Sequence, residues 1–462
     1  MSISPLVASP LARKGLEVLR HALYLDQSSS VDELGCLFQW QEDKPLQHLK
    51  RHLADAYGVE WSFPSTNGTT ILNVLALLTA CPSGGRILIN RDAHASAIAA
   101  MIHGDCHPTY FLPDYDSQLG LSLGPTLAGF KEALNRGPFD CIFLTSPNYY
   151  GIVGDLAEIV RLGHEHGIPV VVDAAHAPHF HFCNKLPPAA EDLGTDLVCQ
   201  STHKVGSALS QGSLLLINRA ELVPQFYEHV NDLGFVSTSF SYPILASIEL
   251  GVRQLVEEGE TLWSQAIARA DALRQSVGHI PGITCFGYEQ AWKPGFKAFD
   301  PTRVTLDVLG TGLTGFEFKQ QLNQKYIYPE MATLQHVLFL ITPGSSDKDV
   351  FTLIQALRGI AESKTGRRLK GPCVLSPPRI PEMGVVPRVA KFARKQVVPI
   401  SEAADKLSAD TVSTYPPGVP IITAGEVTSV EVVEYLRYMR DNGAVLKGIS
   451  DPTLRTFKIL SI

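Results

Sequence analysis

The stretch VVVDAAHAPHFHFCNKLPPAAEDLGTDLVCQSTHKVGSALSQGSLLLIN, which runs from Val170 to Asn218, decides the fold of this chain. It contains short segments rich in valine, leucine and isoleucine that lack polar alternation, as is typical of strands buried on both faces. Helical stretches alternate with segments of this kind, which predicts an α/β fold with a mainly parallel central sheet. We predict strands at 86–90, 140–146, 169–174, 196–202 and 213–218.

Two ionisable residues follow buried strands of this sheet, where α/β proteins bind their ligands. Asp173 closes PVVV, and Lys204 ends the predicted strand DLVCQSTHK. A buried carboxylate needs a partner or a cationic ligand, and a lysine in a cleft gains a lowered pKa and a nucleophilic amine. Ordinary alternatives remain for both, because Asp173 can be a helix N-cap and Lys204 can extend to the surface.

A third feature is FPSTNGTTILNVLALL (63–78), in which small polar residues and Gly68 precede an apolar helix. The free N–H groups of such a helix start bind phosphate, although small polar residues are also ordinary helix caps. A phosphate site, a carboxylate after one strand and a lysine after a later strand together match the needs of pyridoxal phosphate (PLP). The lysine binds this cofactor covalently, and the carboxylate keeps its pyridine nitrogen protonated.

Three histidines follow Asp173 in the pattern D-x-x-H-x-x-H-x-H, namely His176, His179 and His181. Imidazole and carboxylate groups are sound zinc ligands, so this pattern raises the hypothesis of a metal site. The spacing matches neither a helical i, i+4 pair nor a zinc-finger arrangement. We therefore predict no metal.

Several segments of the chain resemble the ornithine/lysine/arginine decarboxylase family. Besides the opening stretch they are STNGTT, ILINRDAHAS, LTSPNYYG, TSFSYPILAS, YPEMATLQHVLFLITPG and TYPPGVPIITAGE, in family order. The resemblance implies a PLP-dependent enzyme of fold type I, with a large domain, a smaller α+β domain and a small C-terminal domain. The chain resembles the shorter branch of this family, which lacks the N-terminal regulatory domain of the large members.

The resemblance also implies roles for single residues. Lys204 would carry PLP covalently, Asp173 would contact the pyridine nitrogen, His94 would stack on the ring and His176 would lie beside its edge. The residues implied to hold the phosphate are Gly68, Thr69, Thr70, Ser201 and His203, and a neighbouring subunit would contribute Thr238 and Ser239.

The chain departs from the family pattern at three places. It has Ala174 where the family usually reads D-E-A-H, so a carboxylate is missing from the motif. VGSALSQ replaces a TLPALTQ-like stretch after Lys204, and SFSYP stands where SPSYP is common. These changes leave the implied cofactor chemistry intact and weaken any inference about the substrate.

The domain organisation follows from the changes of pattern along the chain. We predict a helical segment at 1–60, the PLP-binding domain at 61–260, a small α+β domain at 261–365, a linker at 366–385 and a C-terminal domain at 386–462.

Composition narrows the classes of partner and location. The 462 residues include 46 acidic and 39 basic residues, a net charge of −7, which gives no broad support for a nucleic-acid or membrane partner. The longest apolar run, ILNVLALLTA, is too short to cross a bilayer, and the N-terminus does not resemble a secretory signal. Eight scattered cysteines without a C-x-x-C pair are typical of reduced thiols in a cytoplasmic enzyme.

The function predicted from these features is PLP-dependent decarboxylation of arginine, lysine or ornithine by a homodimer or higher oligomer. Such a substrate carries a distal cation that needs an acidic partner, and Glu330 in YPEMATLQHVLFLITPG is the candidate. The ordinary alternative for Glu330 is a solvated loop carboxylate. Another PLP reaction, such as β-elimination, desulfuration or amino transfer, is the alternative function.

Overall fold

The computed structural model describes residues 45–232, 240–363, 377–414 and 418–461. The helices are α1 (Pro45–Tyr57), α2 (Thr69–Ala80), α3 (Ala95–Gly104), α4 (Leu127–Leu134), α5 (Leu156–Glu165), α6 (Thr202–Val205), α7 (Val223–Asp232), α8 (Tyr242–Val277), α9 (Gly315–Asn323), α10 (Asp347–Ser363), α11 (Pro387–Phe392) and α12 (Val430–Asp441). The strands are β1 (Trp61–Ser65), β2 (Arg86–Asn90), β3 (His107–Phe111), β4 (Tyr115–Asp116), β5 (Leu121–Ser122), β6 (Cys141–Thr145), β7 (Ile152–Val153), β8 (Val170–Asp173), β9 (Leu197–Gln200), β10 (Ser213–Ile217), β11 (Thr284–Cys285), β12 (Ala298–Phe299), β13 (Arg303–Asp307), β14 (Met331–Ala332), β15 (His336–Leu340), β16 (Lys395–Pro399), β17 (Val412–Thr414), β18 (Pro420–Ile422), β19 (Leu446–Lys447) and β20 (Thr456–Leu460).

The central sheet has the strand order β1-β10-β9-β8-β6-β2-β3. Strands β3, β2, β6, β8 and β9 are parallel, whereas β10 is antiparallel to both of its neighbours. Every residue of β8, β9 and β10 is buried, as their continuous apolar pattern predicts. The predicted α/β fold with a mainly parallel sheet is confirmed.

The direction of the strands determines where the site lies. Because β10 reverses direction between β9 and β1, the carboxyl ends of β1, β9, β8, β6 and β2 meet at one edge of the sheet. The loops after these strands therefore converge there, at the usual ligand site of α/β proteins.

The prediction that Lys204 ends a strand is wrong. Strand β9 stops at Gln200, and Lys204 lies in the short helix α6, where its backbone N–H donates to the Ser201 carbonyl at 3.0 Å. The physical reason is the antiparallel partner β10. Gln200 faces Leu214 at the last paired position, so the chain must turn between them.

A smaller antiparallel sheet of order β11-β13-β15-β14 forms a second core with α9 and α10. The long helix α8 contributes Trp263 to the core of the large sheet and Leu273 to this second core. The predicted domain boundary at 260/261 falls inside α8. The division of the chain at the predicted positions stays a prediction.

The C-terminal strands β16–β20 and helix α12 enclose a further small core. Residues 1–44 of the predicted helical segment at 1–60 and most of the predicted linker at 366–385 lie outside the described residues. No described helix is long and apolar enough to cross a membrane.

Candidate active site

A cavity of about 750 Å³ opens at the carboxyl edge of the central sheet. Loops of the large sheet form its floor, while the small domain contributes Gln335 and the C-terminal unit contributes Tyr435 and Tyr438. The predicted site residues that line this cavity are Gly68, Thr69, Thr70, His94, Asp173, His176, Ser201, His203 and Lys204. Their individual roles stay predictions. Thr238 and Ser239 lie outside the described residues.

Asp173 is a buried carboxylate that is held on both sides. Asn73 Nδ2 donates to its Oδ2 at 2.8 Å, and the Ala175 backbone N–H donates to its Oδ1 at 3.1 Å. Among the described residues no cationic nitrogen lies within 4 Å of it, although only 4% of the residue is exposed. A buried anion without a cation beside a cavity fits a protonated pyridine nitrogen.

The start of α2 forms the anion-binding side of the cavity. Gly68 precedes this helix with φ +80°, a conformation that L side chains rarely adopt. Thr69 Oγ1 lies 2.6 Å from Ser201 Oγ, which ties the helix start to the turn after β9. The first-turn N–H groups of a helix have no partner within it, so this end fits the phosphate of PLP.

His94 caps helix α3 at the rim of the cavity. Its Nδ1 accepts a hydrogen bond from the Ser96 backbone N–H at 3.1 Å, which places any ring proton on Nε2. Desolvation lowers the pKa of His94, and the positive charge of Lys204 lowers it further. His94 therefore brings a neutral imidazole to the cavity, and the resemblance implies that this ring stacks on PLP.

His176 connects Lys204 to a buried arginine. Arg303 Nη2 donates to His176 Nδ1 at 2.8 Å, and His176 Nε2 lies 3.2 Å from Lys204 Nζ. Since a guanidinium only donates, Nδ1 must be unprotonated, and the ring proton of a neutral His176 lies on Nε2, toward the lysine. Burial holds the pKa of His176 well below its usual value, and the charge of Arg303 lowers it further.

Lys204 projects into the cavity with a lowered pKa. Desolvation is the main cause, and the charge of Arg303 acts in the same direction. The negative charges of Asp173 and Glu330 oppose this shift. The balance favours a neutral amine more than in a free lysine, which is the form that attacks a carbonyl carbon.

The other two histidines of the D-x-x-H-x-x-H-x-H pattern have separate surroundings. His179 is completely buried, 3.9 Å from Trp263 between ring centroids and 3.3 Å from Asp300 by Nε2. His181 Nδ1 pairs with Asp192 Oδ1 at 2.7 Å. Among the described residues no group of three or more histidine, cysteine or acidic side chains is arranged to hold a metal ion.

Glu330 is exposed and does not line the cavity. Its Oε1 accepts a hydrogen bond from Tyr149 Oη at 2.8 Å, and the Tyr149 ring packs edge-on against His176. Glu330 therefore affects the site through Tyr149 and through its charge. Its role in substrate binding stays a prediction.

Two residues that contact the site were missed by sequence reasoning. Asn73 had a usable signal, because it is a polar residue within the apolar run ILNVLALL, one helical turn after Thr69. Arg303 had none, since it opens a strand of the small domain 127 positions after His176. The departure at Ala174 also looks different in the structure, because this residue is buried in the core rather than in the cavity wall.

The fold and the fit of these residues to PLP define the class as a PLP-dependent enzyme of fold type I. The model of the Orn/Lys/Arg decarboxylase major domain matches residues 20–349, and that of the Orn/Lys/Arg decarboxylase C-terminal domain matches residues 379–451. The chain belongs to the Orn/Lys/Arg decarboxylase family. It is accordingly a PLP-dependent amino-acid decarboxylase, and membership supports decarboxylation over the alternative PLP reactions.

Individual relatives agree with this assignment. An arginine decarboxylase of Bacillus anthracis is 32% identical over 88% of this chain and 83% of its own length. The solved structure of the constitutive lysine decarboxylase of E. coli has a TM-score of 0.77 and 22% identity, covering 93% of this chain and 74% of that one. A structure of SPT with PLP has a TM-score of 0.52 and 16% identity, covering 68% and 76%. Both solved structures share the fold.

Proposed function

We propose that this enzyme decarboxylates arginine to agmatine and carbon dioxide. The observation that carries the proposal is the placement of Asp173, His94, His176 and Lys204 around one cavity at the carboxyl edge of the sheet. The choice of arginine rests on the arginine decarboxylase relative that is 32% identical over most of the chain. Lysine and ornithine are the competing substrates.

The residues of the cavity have distinct tasks in this proposal. When bound, PLP supplies the electron sink that accepts the electron pair left on the α-carbon. Asp173, oriented by Asn73, holds a proton at the pyridine nitrogen and stabilises the ring as it gains electrons. The neutral Lys204 amine would hold the cofactor until the substrate amine displaces it, and it would take up the proton that the substrate ammonium loses. The resulting Lys204 ammonium would then return this proton to the α-carbon.

His176 and Arg303 assist the lysine in this scheme. The Arg303 hydrogen bond fixes the tautomer of His176, so the Nε2 proton can be donated toward Lys204 Nζ. Such fixed orientation of a proton donor removes the need for reorganisation during the reaction.

The test is to incubate PLP-loaded protein separately with arginine, lysine, ornithine and cysteine and to identify the products by mass. We expect agmatine from arginine, with slower or absent formation of cadaverine and putrescine. The Lys204→Ala variant is the blank. Formation of keto acids or hydrogen sulfide without any amine product would contradict decarboxylation, and cadaverine or putrescine as the main product would replace arginine as the substrate.

We also propose that the active unit is a homodimer, with Thr238 and Ser239 reaching the neighbouring site. Two-fold symmetric dimers are the commonest closed assembly. Light scattering of the active protein tests this, and a fully active monomer would reject it. A cytoplasmic location is proposed from the scattered cysteines, because the six in the described residues are all free thiols. Cell fractionation tests the location.

A further inference from the structure

Two carboxylates line the cavity among the described residues, Asp92 and Asp173. Asp173 faces the site predicted for the pyridine nitrogen, so its negative charge is already matched by the protonated cofactor ring. Asp92 lies in the loop between β2 and α3, two positions before His94, and has no part in the cofactor chemistry described above. A carboxylate in the wall of an amino-acid-binding cavity needs an explanation, because burial of its charge is unfavourable without a partner.

Asp92 is held in a fixed position by its neighbour Asn90. The Thr145 backbone N–H donates to Asn90 Oδ1 at 3.0 Å, which orients the amide so that Nδ2 donates to Asp92 Oδ1. Asn90 itself is completely buried. Among the described residues no other residue donates a hydrogen bond to Asp92 Oδ2, and the half-buried side chain lines the cavity.

The adjacent cation is already paired with another acid. Arg91 donates from Nη2 to Glu426 Oε2 at 2.8 Å and from Nε to the Pro420 carbonyl at 3.1 Å. Among the described residues, no cationic nitrogen lies within 4 Å of Asp92. Desolvation consequently raises the pKa of Asp92 to about 7, although hydrogen bonds from its own backbone N–H and from Asn90 oppose that shift. A bound cation would remove this penalty and favour the ionised carboxylate.

The cavity also contains aromatic side chains that suit a flat cation. Tyr115, Tyr435 and Tyr438 line the same cavity as Asp92, two of them from the C-terminal unit. Guanidinium groups stack on aromatic faces and form planar pairs with carboxylates, whereas an ammonium is a compact and strongly hydrated charge.

From this arrangement we infer that Asp92 binds the distal cationic group of the substrate, with the guanidinium of arginine as the intended ligand. The inference rests on the proposed function, since it deepens the choice of substrate. It also assigns to Asp92 the role predicted for Glu330. Glu330 is exposed, accepts from Tyr149 and does not line the cavity, whereas Asp92 does.

The test compares arginine with citrulline, which has the same shape and a neutral ureido group. Asp92→Asn keeps the shape of the side chain and removes its charge. In the PLP-loaded enzyme we expect this variant to lose roughly 30-fold or more in kcat/KM for arginine, the range for removing one partner of a buried charge pair. For citrulline we expect a change below about threefold, measured as kcat/KM or as a competitive Ki if turnover is too slow.

Two control variants accompany Asp92→Asn. Asp55→Asn removes one exposed negative charge of α1 that does not line the cavity, and it should leave kcat/KM for both substrates unchanged. Glu330→Gln tests the competing site, and it should reduce kcat/KM for arginine and for citrulline by similar factors. PLP occupancy and a thermal melt of every variant report folding independently of turnover.

The outcomes separate this inference from the proposed function. If Asp92→Asn lowers kcat/KM equally for arginine and citrulline, or lowers it for neither, the proposed role of Asp92 is overturned. A selective loss for arginine in Glu330→Gln alone would return the role to Glu330. If the wild-type enzyme forms no amine from any basic amino acid, the proposed function fails, whatever the variants show.

Discussion

The cavity has two sides that are built in different ways. The side at the sheet edge consists of short segments that directly follow strands, such as Asp173 after β8 and Gly68 after β1. The other side is formed by the C-terminal unit, which is attached through the buried pair of Arg91 and Glu426, separated by 335 positions in the chain. Local sequence therefore positions the groups that are predicted to hold the cofactor, together with Asp92, whereas long-range packing brings the C-terminal unit to the cavity.

The difference teaches what variants on each side of the cavity should affect. A shared cofactor requires the same few groups in every PLP enzyme of this class, and those groups lie on the rigid sheet edge. Residues of the C-terminal unit, including Tyr435 and Tyr438, also line the cavity. Variants on the two sides should therefore fail differently. At the sheet edge we expect losses in chemistry, or in substrate recognition at Asp92, and in the C-terminal unit we expect losses in docking.

Lys204→Ala should have the largest effect, because it removes the residue of the sheet-edge side that is predicted to bind PLP covalently. Without the amine no covalent attachment of PLP is possible, so the visible absorbance of the bound cofactor should disappear and turnover should fall to background. Borohydride reduction of wild-type enzyme followed by peptide mapping should label the peptide that contains Lys204. Label on a peptide without Lys204 would show that another lysine holds the cofactor.

Asp173→Asn should come next, with kcat reduced roughly 100- to 1000-fold, the range for losing one preorganised electrostatic group. An amide cannot stabilise a protonated pyridine nitrogen as a carboxylate does, while its shape still fits between Asn73 and Ala175. PLP occupancy should fall much less than kcat. An unchanged kcat would remove Asp173 from the chemistry.

Arg91→Met tests how strongly the C-terminal unit is attached to the rest of the protein. It leaves Glu426 unpaired at 0% exposure, which should lower the free energy of unfolding by about 3–5 kcal/mol. Urea unfolding of the PLP-loaded protein measures this. The double variant Arg91→Met/Glu426→Gln should recover part of the loss, because the buried charge is then also removed. A loss below about 1 kcal/mol in the single variant would mean that the C-terminal unit is held mainly by other contacts.

The same contrast explains how much could be predicted from the sequence. The sheet was predictable, because continuous apolar segments mark buried strands, and Asp173, Lys204 and Gly68 were singled out near the ends of such segments. His94, His176, Ser201 and His203 were implied only by the resemblance to the decarboxylase family, and the roles of all these residues stay predictions. The end of β9 was misplaced, since STHK reads on from an apolar segment and only the pairing of Gln200 with Leu214 shows where the chain must turn.

Long-range contacts left much weaker signals. Arg303 lies in another domain from His176, and its hydrogen bond depends on how the small sheet packs against the large one. Asp92 stood in the motif NRDAHAS beside His94, but no pattern indicated that Arg91 would pair with Glu426 and leave Asp92 facing the cavity.

The smallest expected effect concerns the sheet-edge side of the cavity, where two variants should shift the pKa of Lys204 in opposite directions. After desolvation and the charge of Asp173, the charges of Arg303 and Glu330 act on the pKa of Lys204 in opposite directions. Arg303→Gln removes a positive charge that lowers this pKa, so the pKa should rise. Glu330→Gln removes a negative charge that raises it, so the pKa should fall.

These shifts can be followed in cofactor-free protein through the rate at which added PLP becomes covalently attached, recorded by absorbance as a function of pH. The neutral amine is the reactive form, so the rate increases as pH rises through the pKa of Lys204. The midpoint should move to higher pH in Arg303→Gln and to lower pH in Glu330→Gln, with Lys204→Ala as the blank. Arg303→Lys keeps the charge and should leave the midpoint close to that of the wild type. Shifts of the same sign in both Gln variants would show that the charges of Arg303 and Glu330 do not control the lysine, and that loss of the hydrogen bonds to His176 and Tyr149 dominates instead.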